Sequence, residues 1–252
     1  MNILNRDNSS LDDSQWALIS NLVQNYQDAQ SLSISEMIKC ENDSLGIINP
    51  STLQSLLTSF YETAGRSLRS NADIAHLESH DRSILLHTAA TNITCAGGQL
   101  IYYHSQLIHY DLVWKYMEEI YGKVAIYYRQ LSSKFVESDF IIWKLCIASF
   151  ALLTNTRIFG KDIQGEYHDI TQILKIQDKY AEVLWKYLLY KYDDKEAIKR
   201  YVRMIEWFLS LTIFMQDTYN VDAYVNDIES LVEQTEMGLI LDDVDRIIEN
   251  DM

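Results

Sequence analysis

Apolar positions recur along this chain at helical rather than strand spacing. Asp12 and Asp13 follow Ser9-Ser10 in a capping arrangement, and Trp16, Ile19, Val23 and Tyr26 then predict a first amphipathic helix. A polar stretch centred on residues 27–46 separates it from the next. There, Asn49-Pro50-Ser51 leads into Leu53, Leu56, Leu57, Phe60, Tyr61, Ala64 and Leu68, a proline-started helix expected near residues 51–70. From Leu77 to Ala96 apolar and small residues are so dense that several faces should be buried. Gly97-Gly98 is expected to end or bend that helix, with any short strand falling between Gly97 and Ile108, where aromatic residues follow.

Tyr110 to Phe135 reads as a helix or pair broken near Gly122, and Ser138 is expected to cap an apolar helix that continues through Leu153. Ile173, Ile176, Tyr180, Val183, Tyr187 and Leu188 predict a long helix near 170–191. Asp193-Asp194 interrupts it before Ile198, Val202, Ile205, Leu209 and Met215, which predict a second one near 196–217. These two apolar stripes are expected to pack antiparallel. From Gln216 onward the chain has eleven acidic residues and one basic residue, Arg246, so this segment carries -10 of the net charge of -15.

The length of 252 residues with 48% apolar content is enough for a substantial core, and the chain is read as one domain over 1–252 with the acidic segment 216–252 at its end. One proline and eight glycines leave few tight turns, which argues against a sheet-rich fold. The negative charge repels phosphate backbones and anionic membrane surfaces, so direct binding of nucleic acid or membrane is not expected. The most apolar run, Phe140 to Leu153, is interrupted by Lys144 and falls short of the roughly 20 residues that span a bilayer. Residues 1–10 lack the apolar stretch of a secretory signal, and Cys40, Cys95 and Cys146 are too scattered for a disulfide framework or a metal pair. A reducing, nuclear or cytoplasmic setting is the expectation.

Candidate chemistry is sparse. His76 and His80 stand one helical turn apart, but Glu78 is misplaced for a His-Glu-x-x-His zinc site, and Asp242-Asp243-Val244-Asp245 reads as solvated charge rather than a cation loop. Cys95 and Cys146 lie on apolar faces with no histidine placed by sequence to activate them. No glycine-rich phosphate loop or nucleophile elbow is present. No catalytic residue, metal or cofactor is therefore expected. The seventeen tyrosines and five tryptophans suit either a bulky core or an enclosed pocket that reads a few polar groups.

Across about residues 10–215 the order of helices and several residues resemble the ligand-binding domain of nuclear receptors. Ile74-Ala-His-Leu77-Glu-Ser-His-Asp81-Arg82-Ser-Ile84-Leu85-Leu86 is similar to the family signature, with Arg82 in place of the usual glutamine. Ser138-Asp139-Phe140 followed by Leu145 to Leu153, and Ile176-Gln177-Asp178-Lys179-Tyr180 through Tyr190, resemble two later helices of the family. Leu11-Asp-Asp-Ser-Gln-Trp16 is similar to the first helix of the subgroup containing farnesoid, vitamin D and thyroid hormone receptors. Ala72-Asp73 stands where the family has Pro-Gly, Gly97 where it has a ligand-anchoring arginine, Leu209 where it has another arginine, and Asp243 where its activation helix has an apolar residue.

The resemblance implies an all-α, three-layer antiparallel helical sandwich with at most a short β-hairpin, and a ligand-regulated transcription factor domain. It places a pocket among Leu56, Leu57, Phe60, Thr63, Thr94, Gly97, Gly98, Met215 and Tyr219. The ligand would be a small apolar, uncharged, sterol-like molecule. It places the groove for a Leu-x-x-Leu-Leu coregulator helix between Arg69 and Asp242, with His87 at its edge. It also implies a homodimer, or a heterodimer with a retinoid X type receptor, through outward residues of the helix near 196–217, with Trp207, Leu211 and Phe214 as candidates. The alternative is a ligand-independent helical adaptor whose aromatic residues simply fill its core.

Overall fold

The computed structural model describes residues 11–25, 29–135, 137–153, 166–218 and 221–250. Every regular element among them is helical. The order is α1 (Asp13–Asn25), α2 (Ala29–Leu45), α3 (Pro50–Arg69), α4 (Ala72–Ala75), α5 (Ser79–His104), a 3-10 turn at Leu107–His109, α6 (Asp111–Tyr121), α7 (Val124–Lys134), α8 (Phe140–Ala151), α9 (Ile170–Lys191), α10 (Asp194–Thr218) and α11 (Asp222–Asn250). No described helix is long and apolar enough to cross a membrane.

The fold is organised around α5, which packs against α3, α8, α10 and α11. With neighbours on so many sides it has no polar face, which is why its apolar residues show no single stripe. The expected break at Gly97-Gly98 does not occur, and no strand forms between Gly97 and Ile108: α5 runs through both glycines to His104. Gly98 is needed for space, since a Cβ there would lie 2.8 Å from the Tyr128 hydroxyl oxygen.

The predicted helices near 51–70, 170–191 and 196–217 are α3, α9 and α10. The side chain of Asn49 accepts from Ser51 N at the start of α3, and Gly122, at φ 70°, ends α6. The cap of α8 is Asp139 rather than Ser138: its carboxylate accepts from Ile141 N and also takes Lys191 Nζ at 2.5 Å, tying α8 to α9. The polar stretch over 27–46 holds an unanticipated helix, α2, whose inward face is formed by Ser31, Ser35 and Ile38, with Ser31 and Ser59 hydroxyls 2.9 Å apart.

Helix α10 is turned relative to expectation. Ala197, Met204, Trp207, Leu211, Phe214 and Met215 are buried, while Ile198, Val202, Ile205, Leu209 and Ile213 form an exposed aliphatic stripe. Trp207, Leu211 and Phe214 are therefore not outward residues. Trp207 stacks on Phe135 with ring centroids 4.5 Å apart and donates from Nε1 to Gln99 Oε1 at 2.6 Å. The last helix is a single element, α11, burying Ile228, Leu231, Val232, Thr235 and Leu239 against α3 and α5.

Candidate functional site

The turns of α3 and α5 that carry Leu57, Phe60, Thr94 and Gly98 face an almost wholly apolar cavity of about 70 Å³. Its remaining wall comes from Tyr61, Tyr102, Met117, Tyr121, Val124, Ala125, Tyr128, Phe214, Thr218, Val221 and Tyr224. Leu56, Thr63, Gly97 and Met215, expected in the pocket, are buried but do not line it, and Tyr219 lies outside the described residues. Phe214 faces this cavity instead of a dimer interface.

Five tyrosines of the wall were not singled out from the sequence. Their ring bodies face the cavity and their hydroxyls are held at its margins, as amphipathic aromatic side chains require. Tyr128 donates to Cys95 O at 2.5 Å, Tyr102 to Met117 Sδ at 3.4 Å, Tyr224 to Thr91 O at 3.4 Å and Tyr121 to Asp227 Oδ2 at 3.3 Å. Tyr61 also lines the cavity, beside Tyr121 and Tyr224. Burial pushes the Asp227 carboxyl above its ordinary range, and the phenols of Tyr61 and Tyr121 only partly offset it. The only signal for this cluster was the count of tyrosines, which does not say which of them meet.

Beyond Tyr61 lies a more polar cleft of about 560 Å³ between α3 and α11, lined by Gln54, Thr58, Glu62, Arg66, Arg69, Asp227, Ser230 and Gln234 among others. Tyr61 lines both spaces. At the far end of the cleft, Arg69 and Asp242 meet directly: Nε donates to Oδ2 at 2.7 Å and Nη2 to Oδ1 at 2.5 Å. Gly238 allows this approach, because a Cβ there would lie 3.1 Å from the Arg69 side chain. Next to it, the buried guanidinium of Arg82 donates to Asp243 Oδ2 at 2.8 Å and to Ala75 O at 3.0 Å. The residues expected at opposite ends of a coregulator groove are thus paired with each other, joining the end of α3 to α11. His87 is half-buried on α5.

The histidines sort differently from the sequence spacing. His76 Nδ1 lies 2.6 Å from Ala72 O in its own turn. His80 instead joins Asp81 and His168, whose candidate ligand atoms all lie within 4.8 Å of one another. The His80 and His168 rings are stacked 4.1 Å apart at 18°, so their in-plane lone pairs do not converge on one ion. Both Asp81 oxygens already accept backbone N–H groups, from His168 at 2.7 Å and Asp169 at 2.8 Å. These groups anchor the start of α9 to the start of α5.

Burial pushes the thiols of Cys95 and Cys146 well up, so neither is held as a thiolate. Asp242 and Asp243 point to separate arginines rather than to a common centre. The arrangement supports enclosure of an apolar group and a latch on α11. No family model, curated protein or solved structure matches the chain.

Proposed function

We propose that this chain is a ligand-regulated helical binding domain of the nuclear receptor type, acting in transcription regulation. A small apolar molecule in the cavity would govern whether α11 stays latched over the groove that receives a coregulator helix. The observation that carries this reading is that α11 serves both regions. Tyr224 in its first turn lines the cavity, while Asp242 and Asp243 hold Arg69 and Arg82. Those positions are separated by about 27 Å of helix at 1.5 Å per residue.

On this reading the present arrangement is the closed one. Docking a Leu-x-x-Leu-Leu helix requires α11 to release Arg69, which then faces the C-terminal end of the peptide, with His87 beside the groove. The Arg69–Asp242 pair is half exposed, so its release costs little, about 0 to 1 kcal/mol. A fluorescence titration with such a peptide tests the proposal. Binding should be modest and should fall roughly ten- to a hundredfold in Arg69→Glu, given about 1.5 to 3 kcal/mol for a charge-assisted contact. No binding, or binding indifferent to that change, would remove it.

Self-association belongs to the same proposal, through the exposed stripe of α10 rather than through Trp207, Leu211 and Phe214. Ile198 and Ile213, and Val202 and Leu209, stand symmetrically about Ile205 and Glu206. Two antiparallel copies crossing there would place Ile198 against Ile213 and Val202 against Leu209, with Ile205 beside the axis, as an isologous contact requires.

A second reading is favoured by one number. A cavity of about 70 Å³ is far smaller than a sterol-like molecule needs. An adaptor with a filled core, docking through its acidic surface, would need no larger space.

A further inference from the structure

We propose that Tyr61 is a door between the inner cavity and the outer cleft, and that the molecule admitted there is an apolar body ending in a hydroxyl group. The inference rests on the ligand-binding reading above and names the chemistry of that ligand.

The cavity as it stands, about 70 Å³, holds only a few heavy atoms, so a larger ligand requires one wall to move. Most of the wall cannot do so cheaply. Phe60, Tyr102, Tyr128 and Phe214 are buried core residues that pack on one another. Tyr61 differs in two ways. It is only partly buried, and it borders the cleft of about 560 Å³ on its other side, whose lining includes Asp227. Turning its ring into the cleft would place the hydroxyl among polar cleft residues and join the two spaces.

A molecule crossing that opening meets two environments in order. Its inner end lies among the rings of Phe60, Tyr102 and Phe214, which favour an aliphatic or aromatic body. Its outer end reaches Tyr121 and Asp227, which border the two spaces beside Tyr61. Asp227 is a partly buried carboxylate that accepts from Tyr121 at 3.3 Å, and a ligand hydroxyl would give it a second donor. A carboxylate in the same place would face Asp227 as a like charge, and a plain hydrocarbon would leave it short of a donor.

Titration calorimetry with 4-octylphenol, octylbenzene and 4-octylbenzoate, on the wild-type chain, Tyr61→Ala and Asp227→Asn, tests this. In the wild type 4-octylphenol should bind roughly tenfold or more tightly than either of the others, as a hydrogen bond to a charged group implies. Tyr61→Ala, which leaves the door open, should bind 4-octylphenol faster. In Asp227→Asn the discrimination against 4-octylbenzoate should largely disappear. If octylbenzene binds as well as 4-octylphenol, or Asp227→Asn leaves the preference unchanged, the hydroxyl assignment is overturned while the apolar-ligand reading stands. If none of the three binds to either the wild type or Tyr61→Ala, with both shown to be folded by their thermal transitions, both fail together.

Discussion

The guanidinium of Arg82 and the carboxylate of Asp243, 161 positions apart in the chain, meet at 2.8 Å. Their contact ties α5 to α11. Arg82 is buried, so removing Asp243 leaves a buried cation with the backbone carbonyl of Ala75 as its one acceptor among the described residues, whereas Asp242 pairs with an Arg69 that is half exposed. Asp243→Ala should therefore destabilise the chain by about 1 to 3 kcal/mol, and Asp242→Ala by less than about 1 kcal/mol. Denaturant midpoints of the two variants check the order. Equal losses would mean that Arg82 is satisfied without α11.

At Gly98 the prediction is a change of sign. An alanine Cβ there would lie 2.8 Å from the Tyr128 hydroxyl, which is itself 2.5 Å from Cys95 O. Gly98→Ala should destabilise the wild type by displacing that phenol. In a Tyr128→Phe background the obstruction is gone, and the helix preference for alanine over glycine, about 1 kcal/mol, should make the same change stabilising. Thermal unfolding of the four members of this cycle gives the coupling directly, and additivity would contradict it.

For the exposed stripe of α10, a charge at its centre should prevent association. Ile205→Glu and Leu209→Glu should sediment as monomers under conditions where the wild type forms a dimer, while Trp207→Phe, on the buried face, should leave association unchanged. A wild type that stays monomeric at all concentrations, alone and with a retinoid X type receptor, would rule this surface out.

Asp81 gives a pH-dependent prediction. Burial alone would raise its carboxyl, but the N–H groups of Asp169 and His168 outweigh burial and hold it below the ordinary range. A lowered carboxylate contributes stability that is fully present above its unfolded value of about 3.9 and is lost as pH falls through the lower folded value. Asp81→Asn replaces one of the two acceptors with a donor and should cost about 1 to 3 kcal/mol at neutral pH. The gap should shrink toward pH 3. Urea midpoints that keep the same gap at both pH values would show that charge is not what anchors α9.

Legibility followed the physics of each face. Helices α3 and α9 each bury one apolar stripe and were readable in extent and orientation. Helix α10 carries two apolar stripes, and spacing alone does not say which is covered, so Trp207 and Phe214 were turned outward and Ile198 and Ile205 inward. Helix α2 buries Ser31 and Ser35, whose short hydroxyls bond locally, and a hydrophobicity pattern does not register such a face. The length of α11 was obscured by its acidic residues, although Ile228, Leu231, Val232 and Leu239 keep helical spacing within it. At the site, Leu57, Phe60, Thr94 and Gly98 came from the resemblance. The ring of tyrosines did not, because Tyr61, Tyr121 and Tyr224 converge only after α3, α6 and α11 have packed.

The claim that a small molecule occupies the cavity is tested most directly by native mass spectrometry of the chain purified under mild conditions, alongside Ala125→Phe, which places a ring in the space. The account predicts a non-covalent adduct of a small, apolar, uncharged compound on the wild type, absent from an Ala125→Phe variant that retains its thermal transition. A wild-type mass with no adduct, before and after incubation with 4-octylphenol, would contradict it.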